Sequence, residues 1–174
     1  MFKNVVAMMY VLLCMVVIVI AFLAGHSGIA LEAWQTDTTY FTTVILAVAA
    51  AGFIGVTVAL LQCSHLLDHT PRIFVDVLRL SLDRHIEPLE WIAYVLSNLQ
   101  WLALIWGLIG GIADAASMNV GGAEGAVQMA QVVFSHFAVA LWPAIVSVVC
   151  YLVLQSYVVL LRYGHNRLYA KVTG

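Results

Sequence analysis

Long uninterrupted apolar runs, with no strand-like alternation, set the pattern of this chain. They cover approximately residues 5–24, 42–61, 91–113 and 129–161. A run of about 18 or more apolar residues can cross the roughly 30 Å hydrocarbon layer of a bilayer as a helix. All four meet or nearly meet that length. The pattern predicts an all-α integral membrane protein: a single membrane domain over residues 1–174 with four transmembrane helices.

The polar stretches between the runs also carry structure. In 63–89, Thr70 and Pro71 read as a helix cap and first helical position. Asp76, Arg79, Asp83 and Glu87 then recur every three or four residues, opposite Phe74, Val77, Leu78 and Leu82. This predicts a short amphipathic helix on the membrane surface between the second and third spans. Trp34 and Tyr40, ahead of the second run, suit the headgroup level as aromatic anchors. That run is rich in small residues (Ala47, Ala49, Ala50, Ala51, Gly52 and Gly55), which lets a neighbouring helix approach closely. Gly107, Gly110 and Gly111 close the third run, and Gly121, Gly122 and Gly125 mark a flexible loop beyond it. The fourth run would measure roughly 50 Å as one helix, so it is expected to tilt or to project into the cytoplasm, with a kink at Pro143.

Composition narrows the class. The chain is 64% hydrophobic and 9% charged, with a mean hydropathy of +1.02, a balance that a water-soluble domain of this size could not hide. With four spans, all seven basic residues fall on one side: Lys3; Arg72, Arg79 and Arg84; Arg162, Arg167 and Lys171. The positive-inside rule makes that side cytoplasmic, with both termini there. Glu32, Asp37, Asp114 and Glu124 lie in the opposite loops, which lack Lys and Arg. Lys3 and the small residues at 25–30 also suit a signal peptide, but the first run is long for one and a retained span is expected. Cys14, Cys63 and Cys150 show no paired spacing and read as reduced packing residues. A net charge of −2 gives no reason to expect a nucleic-acid partner.

Candidate chemistry is sparse. The polar residues within the last two runs are Ser97, Asn98, Gln100, Gln131, Ser135, His136, Ser147, Gln155 and Ser156. Hydrogen bonding between helices is their ordinary use, and a water-filled path is the functional alternative. No Asp, Glu, Lys or Arg lies near the middle of any run, so this chain alone lacks the titratable group that a proton carrier needs. His136 is the one histidine well inside a run and is the candidate axial ligand for a haem-binding reading. His65 and His69, four apart, are a metal pair lacking further ligands. No nucleophile with its base, phosphate loop or carboxylate pair is present, so no enzyme activity and no cofactor is expected.

The last two runs resemble the two-helix core of the MotA/TolQ/ExbB proton-channel family. Gly107-Leu108-Ile109-Gly110-Gly111-Ile112-Ala113-Asp114 is similar to the family's glycine-rich turn at the end of the penultimate helix. Ala140-Leu141-Trp142-Pro143-Ala144-Ile145-Val146-Ser147 is similar to the stretch in its last helix, which continues through Gln155 to Leu168. The segment from Ala33 to Tyr40 also resembles a family span entry. The family's two pore threonines fall on Gly111 and on Pro143 or Ala144, where no hydroxyl remains. The resemblance implies a homopentamer in a bacterial inner membrane. It would surround a single-span, Asp-bearing partner of the MotB/TolR/ExbD kind and turn ion-motive force into mechanical work. It also implies a pore wall of Asn98, Gly107, Gly111, Gln131, Ser135, Ala140, Pro143 and Ser147. A non-conducting structural or accessory subunit and a haem-binding membrane anchor are the alternatives.

Overall fold

The computed structural model describes residues 10–12, 14, 15, 17, 18, 26, 40–69, 75–118 and 121–173; at 60, 62–69, 75–82, 85, 165, 167–169 and 171–173 the description extends to the backbone alone. Among the described residues, only Tyr40, Met118 and Gly121 lie outside a helix. Three long helices dominate: α1 (Phe41–His69), α2 (Val75–Ser117) and α3 (Gly122–Thr173). Each contains a stretch long and apolar enough to cross a membrane: Phe41–Ala59, Ile86–Ser117 and Gly122–Gly164. Residues 10–12, 14, 15, 17 and 18, from the first apolar run, are helical, and Tyr10 and Cys14 among them pack on the core of α1 and α3. The rest of that run, the anchor Trp34 and the cap at Thr70 and Pro71 lie outside the described residues, as do the side chains of His65 and His69.

Two expectations are corrected. The surface helix between the second and third spans is not a separate element, because α2 begins at Val75 and continues through Pro88 to Ser117. Pro88 costs one backbone hydrogen bond, while Ile86 and Leu89 on either side are buried in the core, which holds the helix through it. The glycine-rich loop is likewise much shorter than its composition suggests. α2 runs on to Ser117, and Gly122 begins α3 with φ of 84°. Ser117 Oγ donates to Asp114 O at 2.7 Å and Met118 N to Ala115 O at 3.2 Å, closing the end of α2. Gly125, expected in the loop, is buried one turn inside α3.

α2 and α3 form an antiparallel hairpin, and α1 packs against one half of it. Apolar positions at three- and four-residue intervals build the three-helix core: Ile45, Ala49, Val56 and Ala59 from α1, Ile86, Leu89, Ala93 and Leu96 from α2, and Leu154, Tyr157, Val158 and Leu161 from α3. Of the small residues in α1, Ala49 and Gly52 are buried, whereas Ala47, Ala50 and Ala51 face outward. In the other half of the hairpin the contact is almost side-chain free. A Cβ on Gly107 would overlap the Cβ of Ala140, and one on Gly111 would sit 3.0 Å from the Val133 backbone. Ala103, Ala115 and Ala144 continue this seam of small buried residues. Where lipid surrounds both helices, such close approach supplies the dispersion contact that water exclusion supplies in soluble proteins.

Gly107 is therefore the most sensitive position in the seam. Gly107→Leu should lower stability by about 1–3 kcal/mol or more, the usual cost of overpacking, as read by thermal unfolding in detergent micelles. Gly110→Ala should be close to neutral, because its nearest neighbour would be 3.6 Å away.

Candidate functional site

The hairpin is clasped by a polar side-chain pair at each end. At one end Arg162 of α3 pairs with Glu90 of α2, and at the other His136 Nε2 lies 3.0 Å from Asp114 Oδ2. A helical rise of 1.5 Å per residue puts the two clasps about 36 Å apart along α2, slightly more than the hydrocarbon layer of roughly 30 Å. Between them, neither helix carries Asp, Glu, Lys or Arg. Asp114 and His136 are partly exposed, as are Glu90 and Arg162, which fits groups near the level where a bilayer becomes polar.

Each histidine nitrogen faces an oxygen, because Nδ1 lies 3.1 Å from the Val132 carbonyl on its own helix. Which of the two nitrogens donates depends on the tautomer. A haem iron would have to displace one of these contacts. Among the described residues, no group of three or more His, Cys, Asp or Glu side chains could hold a metal ion.

The eight residues expected to line a pore divide into two sets. Gly107, Gly111, Ala140, Pro143 and Ser147 are buried. Gly107, Gly111 and Ala140 meet in the α2–α3 seam, and Ser147 Oγ donates to the Leu96 carbonyl across it at 2.6 Å. Asn98, Gln131 and Ser135 are exposed, but they do not share a level. Ser135 adjoins His136 at the Asp114 clasp, whereas Asn98 lies about 24 Å from that clasp along α2. Asn98 Nδ2 donates to Tyr94 O at 2.7 Å, and Ser135 Oγ to Val132 O at 2.8 Å.

A second polar cluster ties the N-terminal helical stretch to the core. Thr57 Oγ1 donates to Phe53 O at 2.9 Å, so it accepts from the Tyr10 hydroxyl at 3.1 Å. Cys14 Sγ lies 3.4 Å from the Tyr157 hydroxyl. The Tyr157 ring lies tilted against Tyr10 at 5.7 Å and edge-on to Phe53 at 5.9 Å. Together with Val17, Ile18 and Val56 these groups border a half-open cleft of about 230 Å³. The sequence reading missed this cluster and both clasps. Charged residues flanking apolar runs are the signal for clasps, although spacing alone gives no register between helices.

Comparison with protein-family models, with curated proteins and with solved structures finds no match.

The buried Ser147 bridge gives a measurable handle on the seam. Ser147→Ala should cost about 0.6–1.7 kcal/mol, the range for hydrogen bonds between helices in lipid, in a reversible unfolding titration. Ser147→Leu should cost more, because it puts a much larger side chain at a fully buried position.

Proposed function

We propose that this chain is a subunit of a multi-chain membrane assembly of the stator type, a helical wall held around a partner that carries the titratable group. In this reading it crosses a bacterial inner membrane four times with both termini in the cytoplasm, as the distribution of its basic residues supports. The observation that carries the reading is the hairpin itself. Two apolar helices, bound seamlessly to each other and free of acidic or basic residues between their terminal clasps, offer a smooth wall with no proton-carrying side chain of their own. A proton path along such a wall needs a carboxylate from elsewhere. The resemblance of its last two spans to the MotA/TolQ/ExbB core supplies the kind of partner: a single-span helix with an aspartate.

A second reading has its own support. Gly107, Gly111, Ala140, Pro143 and Ser147 are buried inside one protomer, where they serve packing. A chain that uses its small residues this way can act as a structural subunit that conducts nothing. Packing of the same seam serves both readings, so composition of the complex and ion flux must separate them.

Extraction in mild detergent followed by native mass spectrometry should recover several copies of the chain with a single-span, Asp-bearing protein. Vesicles holding that complex should show proton flux that falls at least tenfold when the partner's aspartate becomes Asn. Recovery of the complex without flux would establish the structural reading, and a chain purified without any such partner would contradict the stator reading.

A further inference from the structure

The outward face of α2 carries a regular stripe. Trp91, Val95, Asn98, Leu102, Ile105 and Ile109 follow at alternating intervals of four and three, the a/d spacing of a coiled-coil seam. At 100° per residue they fall within about 80° of one another on the helix. The buried positions Leu89, Ala93, Ala103, Gly107 and Gly111 lie on the opposite side. The stripe can thus be covered without disturbing the hairpin.

Asn98 is the exception in this stripe. It sits near the midpoint between the two clasps, about 6 Å from the middle of the span, and it is exposed. Its bond to Tyr94 O engages one N–H of an amide that has two N–H donors and an acceptor oxygen. An amide left facing hydrocarbon at that depth is costly, and in membranes such groups sit against protein. Around it, Trp91, Tyr94, Val95, Leu99 and Leu102 shape an open groove of about 250 Å³.

We propose that this stripe is a homotypic seam, where α2 of one chain packs on α2 of a second copy with Asn98 meeting Asn98. The symmetry of a second copy, the chemistry of Asn98 and the exposed area together favour homotypic pairing. Copies inserted with one topology are parallel, so equal residues lie at equal depth and the seam is in register with itself. Asn is both donor and acceptor, so two Asn98 side chains satisfy each other across a two-fold axis, and a single Asn in an a/d stripe fixes register and partner number. Trp91, Leu102, Ile105 and Ile109 remain between 50% and 67% exposed. With Tyr94 their uncovered area is on the order of several hundred Å², approaching the ~800 Å² per partner of a standard interface. The seam is independent of the stator reading and forms with this chain alone; as a two-fold contact it pairs chains and is not a contact that closes a ring of five.

The test uses the full chain in lipid vesicles, with Cys14, Cys63 and Cys150 replaced by Ala. Under mild oxidation, Leu102→Cys and Ile105→Cys should cross-link to dimers, while Leu108→Cys, about a quarter turn off the stripe, should not. In the same vesicles, energy transfer between two labelled populations gives the dimerisation constant. Asn98→Val should weaken it about three- to tenfold while leaving helicity and thermal midpoint intact. Cross-linking of Leu102→Cys no greater than that of Leu108→Cys would overturn the seam. An unchanged dimerisation constant in Asn98→Val would overturn the role of Asn98 in it. Cross-links that form only when another membrane protein is co-expressed would assign the stripe to a foreign helix and overturn the homotypic pairing.

Discussion

Backbone approach between α2 and α3 is the constraint on which the rest of the structure depends. Two helices surrounded by lipid gain little from hiding apolar side chains from each other, since lipid tails solvate those side chains equally well. What remains is contact density. Gly107 and Gly111 against Ala140 and the Val133 backbone bring the helices together where no larger residue fits. That contact fixes the antiparallel register, and the register places every later feature: Ser147 under the Leu96 carbonyl, His136 opposite Asp114 and Arg162 opposite Glu90.

α1 joins a hairpin already defined by that seam. Its stripe of Ile45, Ala49, Gly52, Val56 and Ala59 fits the half of the hairpin near Glu90, where α2 and α3 present Leu89, Leu96, Leu154 and Tyr157 in place of glycines. There α1 adds its own buried face to the contact between the two helices. The molecule thus has a two-helix contact of small residues at one end and a three-helix core of mixed large and small residues at the other, with α1 reaching as far as Trp106 through Phe41. Polar side chains are placed accordingly. Those in the seam bond across it, as Ser147 does, and those on outer faces bond back to their own helix, as Asn98, Ser135 and Ser156 do.

The apolar runs made three membrane-length helices legible, because length and hydropathy are properties of contiguous sequence. Their faces were harder to read. Helices that are apolar all round carry little periodic signal, and the small residues alone distinguished the inner side of α2. The same small residues were assigned to a pore wall by resemblance, and the structure shows five of the eight expected wall positions buried within the protomer. A glycine-rich motif records close approach without recording by what. The clasps were not legible because a contact between Asp114 and His136 depends on the register of two helices, which no local spacing states. Glycines around the α2–α3 turn signalled flexibility, whereas hairpin packing needs a short connection there, and α3 starts at Gly122.

A hairpin lying across lipid puts its two clasps at the boundaries, with no Asp, Glu, Lys or Arg between them. Native tryptophans report depth directly, since α2 carries Trp91 beside the Glu90 clasp, Trp101 near mid-span and Trp106 beyond it. Single-tryptophan variants in vesicles of lipids brominated at graded acyl positions would measure those depths. The account predicts that Trp101 is quenched most by bromines near the chain ends and Trp91 most by those near the headgroup, with Trp106 between. Equal quenching of all three by an aqueous quencher, with none by the deepest bromines, would contradict it.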